Sequence, residues 1–208
     1  DAYKKILKQH ALISNQYKAL TLIDKSYIQY KAYLIAIAKN DYEKADAYLF
    51  DALEIGEALS DWERLVKVYM DYGDGLFQQG EIKLAETAYS KALDYCSPDK
   101  FPASYYQASG KMGKVQIELN RLSESENNLL KAHRGLGELK SNALLLAVEQ
   151  DLADLYAKKG EYDEFKLYFA LAVATKDSLA HEEQLRSIGE SKVIYQMAQK
   201  QRQKDLEL

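Results

Sequence analysis

The feature that most constrains this chain is an internal repeat forty residues long. Four similar segments begin at positions 40, 80, 120 and 160, and each starts with Asn or Gly. Asn and Gly tolerate the left-handed backbone that ends a helix. Positions five, nine and twelve residues later lie on one helix face, and the last of these is always alanine: Ala52, Ala92, Ala132 and Ala172. The period predicts an array of units, each too small to bury a core alone.

Each unit is predicted to contain two helices joined by a tight turn. Seven positions before the turn residue the chain has Tyr33, Gly73, Gly113 and Ala153, three of them small, as expected where two helices approach closely. Nine positions after it stand Leu49, Tyr89, Leu129 and Phe169. We expect these large residues, and Tyr162 near the start of the last helix, to pack between helices. Ser60 and Ser141 are expected N-caps, and Pro102 a first-turn proline. The predicted units span residues 21–59, 60–100, 101–140 and 141–178.

Composition agrees with helices and excludes several classes of protein. Thr, Val and Pro are scarce whereas Leu and Ala are abundant, which favours helices over strands. The net charge of −4 and the absence of a basic stripe disfavour nucleic-acid binding. The longest apolar run, residues 32–38, is far too short to cross a bilayer. Seventeen tyrosines against five phenylalanines indicate many half-buried positions, as in an array with a large surface.

Two segments flank the predicted repeats. Residues 1–20 have apolar residues at helical spacing and predict an amphipathic capping helix, with membership of an earlier repeat as the alternative. After Glu161 there is no proline and one glycine, so residues 179–208 are predicted to form a long polar exit helix. The heptad pattern of this helix is poor, which argues against a tight coiled coil and leaves a weak homodimer through it open. We interpret the chain as a segment of a longer polypeptide.

The second predicted repeat, residues 60–100, resembles the tetratricopeptide repeat. The matching residues are Tyr72-Gly73, Leu76, Gly80, Ile82, Ala85, Tyr89 and Ala92, and the other units match at fewer places. The resemblance implies an all-α fold, a right-handed α-α superhelix, here followed by a long C-terminal helix. The period of forty exceeds the family's period of about 34. Phe165 stands where a small residue is usual, which predicts a splayed fourth hairpin. HEAT and armadillo repeats rank second because they lack the small-residue pair beside a Gly or Asn turn.

In this family the first helix of each repeat lines a concave groove that binds protein segments. Carried over by repeat position, the groove residues are Tyr27, Tyr30 and Lys31, then Lys67, Met70, Asp71, Asp74 and Phe77, then Gln107, Lys111 and Lys114, and finally Gln150, Asp151 and Asp154. The family's clamp for a C-terminal carboxylate is not present, because the required Asn is missing. A surface of mixed charge and aromatic character suits an extended peptide or a partner helix. For Tyr27 and Tyr30, packing against the N-terminal helix is the alternative.

No constellation of residues predicts catalysis. None of the three histidines has a second His or Cys at ligand spacing. Cys96 is the one cysteine, which excludes an internal disulfide and a cysteine-based zinc site, and we expect an inert thiol. The Gly73-Asp74-Gly75 sequence lies mid-helix in the repeat and lacks the third glycine of a phosphate-binding loop. We therefore predict no enzymatic activity and assign no catalytic, cofactor-binding or metal-ligating residue.

The C-terminal segment resembles the stretch that follows the repeats in bacterial membrane-anchored signalling proteins. The matching residues are Lys176-Asp177-Ser178-Leu179, Glu182-Glu183, Ile188, Glu190, Tyr195 and residues 204–208. The resemblance implies a periplasmic or otherwise extracytoplasmic sensor region, a membrane span after Leu208, and a histidine-kinase or LuxR-type regulator as output. Two alternatives stay open at this point. One is a cytoplasmic assembly scaffold, and the other is a peptide-pheromone regulator that lacks its DNA-binding domain.

Overall fold

The computed structural model describes residues 29, 30, 32, 33, 36 and 42–206, with the side chains of 42, 43, 45, 46, 188, 189 and 191–206 excepted. Seven helices lie within residues 42–206, separated by turns, and no strand occurs within that range. They are α1 (Tyr42–Leu59), α2 (Trp62–Gln78), α3 (Ile82–Tyr95), α4 (Pro102–Glu118), α5 (Leu122–Glu138), α6 (Asn142–Lys159) and α7 (Tyr162–Leu206). The predicted capping helix, residues 1–20, lies outside the described residues.

The turns explain the period of forty. Gly80 (φ 82°), Asn120 (φ 58°) and Gly160 (φ 76°) adopt the left-handed conformation predicted for the turn inside each hairpin. Ser60 (φ 52°) and Lys140 (φ 53°) adopt it between hairpins. These five residues are spaced by multiples of twenty, because helices of 17 or 18 residues alternate with turns of two or three residues over most of the array. The extra length over a 34-residue repeat therefore lies in the helices.

The helix starts agree with the sequence at two places and differ at a third. Pro102 occupies the first turn of α4, as predicted, and Ser141 stands at the N-cap position of α6 but makes no capping hydrogen bond with its side chain. Ser60 is not the N-cap of α2, because its left-handed backbone ends α1. Asp61 takes that role, and its carboxylate accepts a hydrogen bond from the backbone N–H of Arg64 at 3.2 Å. An Asp at this position also suits the positive end of the helix dipole.

The chain divides into two compact units, residues 1–135 and 136–208. In the first unit, α2 and α3 form a hairpin in which the ring of Tyr89 lies directly on Gly73. Ala92 is fully buried in a cluster with Val66, Met70, Cys96 and Ala108, which joins α3 to α4. The repeated glycine and alanine positions thus permit the close helix packing that the sequence predicts.

The next hairpin uses the same close approach. The side chain of Leu129 on α5 lies on Gly113 of α4, where an added Cβ would stand 2.6 Å from its Cγ. The Ser125 hydroxyl donates a hydrogen bond of 2.8 Å to the carbonyl oxygen of Gly113. Ser125 is buried, so this bond satisfies a hydroxyl that would otherwise be costly in the core. The tyrosine and leucine of the two hairpins therefore occupy equivalent places.

The second compact unit, residues 136–208, departs from this pattern. α6 and α7 pack on one another, Ala172 is buried, and Tyr156 stacks on Tyr168 with ring centroids 5.4 Å apart. Phe169 and Tyr162, which we expected to pack between helices, are instead exposed at 56% and 65%. Phe169 corresponds to Tyr89, but the residue opposite is Ala153 rather than a glycine. The prediction that Phe169 and Tyr162 pack between helices is therefore wrong, because both side chains are exposed.

Helix α7 continues without interruption for 45 residues, about 67 Å at the usual rise per residue. The second helix of the fourth hairpin and residues 179–206 of the predicted exit helix thus form one continuous helix. None of the helices among the described residues is long and apolar enough to cross a membrane.

Candidate functional site

Most of the predicted groove residues in the first compact unit, residues 1–135, lie on two neighbouring helices, α2 and α4. Lys67, Asp71, Asp74 and Gln78 follow one another on α2 at spacings of four, three and four, so they share one helix face. Gln107, Lys111, Lys114 and Glu118 do the same on α4. Because α2 and α4 contact one another, the two rows lie in one surface. We call this surface the α2–α4 face.

Asp74 is the centre of this face. Its carboxylate accepts two hydrogen bonds from Lys111 Nζ, at 2.6 and 2.7 Å, and one from the Tyr89 hydroxyl at 2.6 Å. The side chains of Asp74 and Lys111 are 36% and 24% exposed, so solvent and a ligand can both reach the pair. Lys111 Nζ also lies 6.0 Å from the centre of the Tyr89 ring. The arrangement fixes two opposite charges at the surface of the repeat.

A second cluster surrounds Asp71, one helical turn earlier. Its carboxylate accepts a hydrogen bond from the Tyr30 hydroxyl, and its backbone carbonyl accepts one of 3.0 Å from the Tyr33 hydroxyl. Burial raises the pKa of Asp71 above its usual range, although the hydrogen bond from Tyr30 opposes that shift. Burial and the same carboxylate raise the pKa of the Tyr30 hydroxyl. Tyr30 is therefore neutral and serves as a hydrogen-bond donor.

Two lysines extend the face on the solvent side. Lys67 Nζ lies 6.0 Å from the centre of the Tyr30 ring, and Lys114 Nζ lies 5.5 Å from that of Phe77. Both lysines are exposed residues. Cation–π contacts at exposed sites are worth about 0.5–1 kcal/mol, so they orient these ammonium groups without immobilising them.

A cavity of about 400 Å³ opens at the start of α2. Its described lining residues are Tyr30, Asp61, Glu63, Arg64 and Lys67. Asp61 is paired with Arg64 at 3.1 Å, so one carboxylate is already engaged. The cavity adjoins the Lys67 end of the α2–α4 face and offers both signs of charge.

The structure corrects one predicted groove residue and reassigns another. Met70 is buried in the cluster that joins α2, α3 and α4, so it is a core residue and not part of the surface. Its side chain packs in one cluster with Ala92 and Cys96 on α3 and with Ala108 on α4. Tyr30 is also buried, with only its hydroxyl directed to Asp71, which favours packing for its ring. Tyr27 and Lys31 lie outside the described residues.

The groove residues predicted for the fourth repeat lie in the second unit. Gln150 and Asp154 are exposed on α6, and Asp151 is half-buried. Their spacing places them together on one side of that helix. Their role in binding stays a prediction.

Sequence reasoning missed the two tyrosines that organise the acidic residues. Tyr89 was assigned to packing alone and Tyr33 to a place between helices, yet each hydroxyl bonds to α2. The available signal was the pairing of Gly73 with a tyrosine at the repeat position opposite, next to Asp74. A tyrosine that lies on a glycine and reaches past it places its hydroxyl near the following residue.

Two findings among the described residues bear on the prediction that the chain has no catalytic activity. No group of three or more His, Cys, Asp or Glu among them could hold a metal ion. Cys96 is buried, its thiol contacts the carbonyl of Ala92 at 3.2 Å, and burial raises its pKa to about 11. The thiolate that a nucleophile requires is therefore scarce at neutral pH. Gly73 and Gly75 lie within α2, which agrees with a structural role for that glycine pair.

No family model matches this chain, and no curated protein matches it in sequence. Solved structures do match in fold. The crystal structure of aspartyl phosphate phosphatase F from Bacillus subtilis aligns with a TM-score of 0.66 and 12% identity, over 81% of this chain and 44% of that one. BtubC (BKLC) from P. vanneervenii aligns with a TM-score of 0.66 and 16% identity, over 82% and 68%.

Both of these solved structures are helical-repeat proteins. The likeness confirms the predicted fold class, an all-α helical repeat. This chain spans less than half of the phosphatase, and at 12% identity the likeness concerns the fold alone.

Proposed function

We propose that this chain is a non-catalytic repeat of the tetratricopeptide type whose α2–α4 face binds a peptide or helix of a partner protein. The observation that carries the proposal is the Asp74 cluster. Its carboxylate and the Lys111 ammonium are partly exposed, yet three hydrogen bonds of 2.6–2.7 Å hold them in place. Groups already ordered before binding lose little conformational entropy when a ligand engages them.

The rest of the face suits the same kind of ligand. Lys67 and Lys114 offer exposed cations on either side of the central pair, and Asp71 and Asp74 offer carboxylate oxygens. An extended peptide or an amphipathic helix presents both donors and acceptors along its length, and helical repeats bind such segments along their first helices. The helical-repeat fold of the solved neighbours is consistent with this role.

A selection for peptide ligands tests the proposal. A phage-displayed library of random peptides is panned on the immobilised wild-type chain, and the affinity of enriched peptides is measured by fluorescence polarisation. The double variant Lys67→Glu/Lys114→Glu reverses both exposed charges without touching Asp74 or Lys111. Lys91→Glu is the matched control, because Lys91 is an exposed lysine on α3 that pairs with its helix neighbour Asp94 at 3.9 Å.

We expect peptides whose binding weakens at least tenfold in the double variant and stays unchanged in Lys91→Glu. Such a loss would place the ligand on the α2–α4 face. Failure to enrich any peptide, or equal binding by all three proteins, would refute the proposal. Circular dichroism before and after heating verifies that the variants fold.

We further propose that the repeat is the extracytoplasmic sensor region of a membrane-anchored histidine kinase or LuxR-type regulator. The resemblance of residues 175–208 to such proteins motivates it, and the unbroken α7 provides a stiff element that could carry a change in the repeats toward a membrane. Reporter fusions in the full-length protein test the topology, with alkaline phosphatase placed before the segment that follows Leu208 and β-galactosidase after it. Activity of both reporters is expected. A soluble domain or a stop codon directly after Leu208 would refute the sensor role and favour a cytoplasmic scaffold.

The absence of catalysis is part of the same proposal. One solved neighbour is named an aspartyl phosphate phosphatase, so hydrolysis of an acyl phosphate is the activity to examine first. We expect no hydrolysis of acetyl phosphate by the purified chain above the rate in buffer. A rate that rises with protein concentration and resists further purification would contradict a purely binding role.

A further inference from the structure

Three aromatic rings stack where the end of α1, the start of α2 and the end of α3 meet. Trp62 and Tyr69 lie two turns apart on one face of α2, about 10 Å along the helix. The ring of Tyr95 on α3 has its centroid 5.6 Å from that of Trp62 and 5.8 Å from that of Tyr69, with planes within 12° and 15° of parallel. These distances span the gap along α2, so Tyr95 lies between the other two rings. We call these three residues the Trp62 stack.

The stack is open to solvent at its Trp62 end. Trp62 is 40% exposed, whereas Tyr69 and Tyr95 are half-buried and pack against the core of the first compact unit. Trp62 and Tyr69 lie on the opposite side of α2 from Lys67 and Asp71. The stack is therefore separate from the α2–α4 face, and what binds it does not depend on the function proposed for that face.

Acidic side chains surround the stack. The Tyr95 hydroxyl donates a hydrogen bond of 3.2 Å to the Glu57 carboxylate in the last turn of α1. Burial, this hydrogen bond and the charge of Glu57 raise the pKa of Tyr95, and the charge of Asp94 adds to the shift. Burial and the charge of Glu57 also raise the pKa of Tyr69. The carboxylates that act on these two rings favour a cation beside them.

Two helix ends add to this negative charge. The C-terminal end of a helix carries a partial negative charge, which basic residues in the last turn offset. Neither α1 nor α3 has a basic residue in its last turn, and each has an acidic one there, Glu57 and Asp94. By contrast, α6 ends with Lys158 and Lys159. A cation near the ends of α1 and α3 would offset the charge of both.

Neighbouring basic residues balance only part of this charge. Arg64 pairs with Asp61 at 3.1 Å, and Lys91 pairs with Asp94 at 3.9 Å. Within the described residues, Glu57 has no basic partner. The sequence of α1 contains five acidic residues and one lysine. The surface that the stack shares with α1 is therefore negative.

Other aromatic rings of this chain have an ammonium group over them. Lysine Nζ atoms lie 4.3–6.0 Å from the centres of six other tyrosine and phenylalanine rings. Among the described lysines and arginines, none lies over a ring of the Trp62 stack. Tryptophan attracts cations more strongly than tyrosine or phenylalanine does. Trp62 is thus the ring best suited to a cation from another molecule.

The shape of the stack indicates which cation fits. Near-parallel rings present a flat face rather than a cage, and a planar guanidinium stacks on such a face whereas an ammonium group does not. One stacked cation at an exposed site is a weak contact, so the guanidinium must belong to a larger ligand. Phe50 lies seven residues before Glu57 on the same side of α1 and is 68% exposed. A protein segment can contact both places at once.

We propose that the Trp62 stack and the Phe50–Glu57 side of α1 bind a segment of a partner protein that presents an arginine and a large apolar residue about 10 Å apart. The guanidinium stacks on the exposed Trp62 ring, next to the negative charge of Glu57 and Asp94. The apolar residue packs on Phe50.

A peptide that carries these two groups is the probe, and Trp62 is the reporter. Trp62 is the single tryptophan of the chain, so tryptophan fluorescence reports on the stack alone. The probe is a helical peptide of alanine and glutamine with one leucine and, seven residues later, one arginine. Two matched peptides have lysine or citrulline in place of the arginine, because citrulline keeps the planar shape and lacks the charge. N-acetyl-arginine amide serves as a free guanidinium compound.

Each ligand is titrated at low salt against the whole chain and three variants. Glu57→Gln removes the charge and keeps an acceptor for the Tyr95 hydroxyl. Phe50→Ser removes the apolar contact at an exposed position, where folding is least affected. Glu138→Gln is the matched control, because Glu138 is an exposed acid in the last turn of α5. Circular dichroism verifies the fold of each variant, and sedimentation velocity reports self-association.

We expect the arginine peptide to change Trp62 fluorescence saturably, with equal affinity for the wild type and Glu138→Gln. Affinity should fall about fivefold in Glu57→Gln, the upper end for a partly exposed ion pair. It should also fall in Phe50→Ser. On the wild type, the lysine peptide should bind about threefold more weakly because its ammonium does not stack. The citrulline peptide should give no saturable change.

The proposal is overturned if the arginine peptide gives no saturable change, if the lysine or citrulline peptide binds equally well, or if Glu57→Gln and Phe50→Ser both bind as the wild type does. N-acetyl-arginine amide that binds as tightly as the peptide would assign the stack to a free guanidinium compound instead. A wild-type dimer that dissociates in Glu57→Gln would assign it to a second copy of the chain.

Discussion

Replacing Gly73 by alanine tests the packing that defines the hairpins. The added Cβ would lie 2.4 Å from Cε1, 2.7 Å from Cδ1 and 2.9 Å from Cζ of Tyr89. These atoms belong to a rigid ring that is 3% exposed, so it cannot swing into solvent without leaving its site. The ring must shift, or α2 and α3 must separate.

Two opposing effects set the size of the change. Alanine in place of a mid-helix glycine stabilises a helix by about 0.5–1 kcal/mol. Overpacking a close contact costs about 1–3 kcal/mol. A displaced ring also weakens the 2.6 Å hydrogen bond from Tyr89 to the Asp74 carboxylate, and hydrogen bonds to charged groups contribute about 1.5–3 kcal/mol. We therefore expect Gly73→Ala to lower the free energy of unfolding by about 1–3 kcal/mol.

Urea unfolding followed by circular dichroism measures this difference. Gly137→Ala is the control, because Gly137 lies within α5 and an added Cβ there meets no atom within 4 Å. That variant should gain about 0.5–1 kcal/mol from helix propensity alone. Opposite signs for two identical substitutions would isolate the contact with Tyr89.

A double variant makes the reasoning refutable. Once Tyr89 is replaced by alanine, the ring that opposes the new Cβ is gone, so Gly73→Ala should stabilise the Tyr89→Ala background. If Gly73→Ala stabilises the wild-type chain as much as Gly137→Ala does, the close helix approach inferred for this hairpin is wrong. The same conclusion follows if the effect of Gly73→Ala does not depend on Tyr89.

Three further predictions concern Ala92, Cys96 and Asp71, which are buried or half-buried in the first compact unit. Ala92→Leu should lower the free energy of unfolding by about 1–3 kcal/mol through overpacking, measured by urea titration, and a neutral result would contradict the buried interface between α3 and α4. Because burial raises the pKa of Cys96 to about 11, the folded chain at pH 8 should react with Ellman's reagent about 100-fold more slowly than the urea-unfolded chain; equal rates would show the thiol to be accessible. Burial raises the pKa of Asp71 in the folded chain above its ordinary value, so the folded state holds that proton more tightly than the unfolded state. Ionisation of Asp71 lowers the free energy of unfolding as pH rises past the ordinary carboxyl pKa. The stability of the wild type relative to Asp71→Asn should therefore increase as pH falls from 7 to 4. A stability difference that is constant with pH would refute a raised pKa for Asp71.

The sequence predicted the helices well because the signals for them are local. A left-handed Gly or Asn is needed wherever a helix ends in a tight turn, and the repeat displays one at each predicted place described by the structure. The alanine at the twelfth position is small in every unit because two helices meet there, and all four copies are buried. Ser60 was misassigned because a serine can also adopt the left-handed conformation, which leaves the cap to Asp61.

The candidate site was predictable only in part. Repeat positions identified the rows Lys67–Asp74 and Gln107–Lys114, since residues of one helix face recur at fixed spacing. They did not reveal that Met70 turns to the core, because a methionine at the edge of a helix face packs or stays exposed according to its neighbours. Nor did they show that Tyr33 and Tyr89 donate hydrogen bonds to α2.

The sequence by itself determined an array of helical hairpins, because the period, the turn residues and the small-residue positions are properties of neighbouring residues along the chain. Only the tertiary structure decided which side chains became surface. Tyr89 and Phe169 hold the same repeat position, yet the first is buried on Gly73 and the second is exposed. Burial of such a side chain depends on contacts between helices, which the spacing of residues within one helix does not contain.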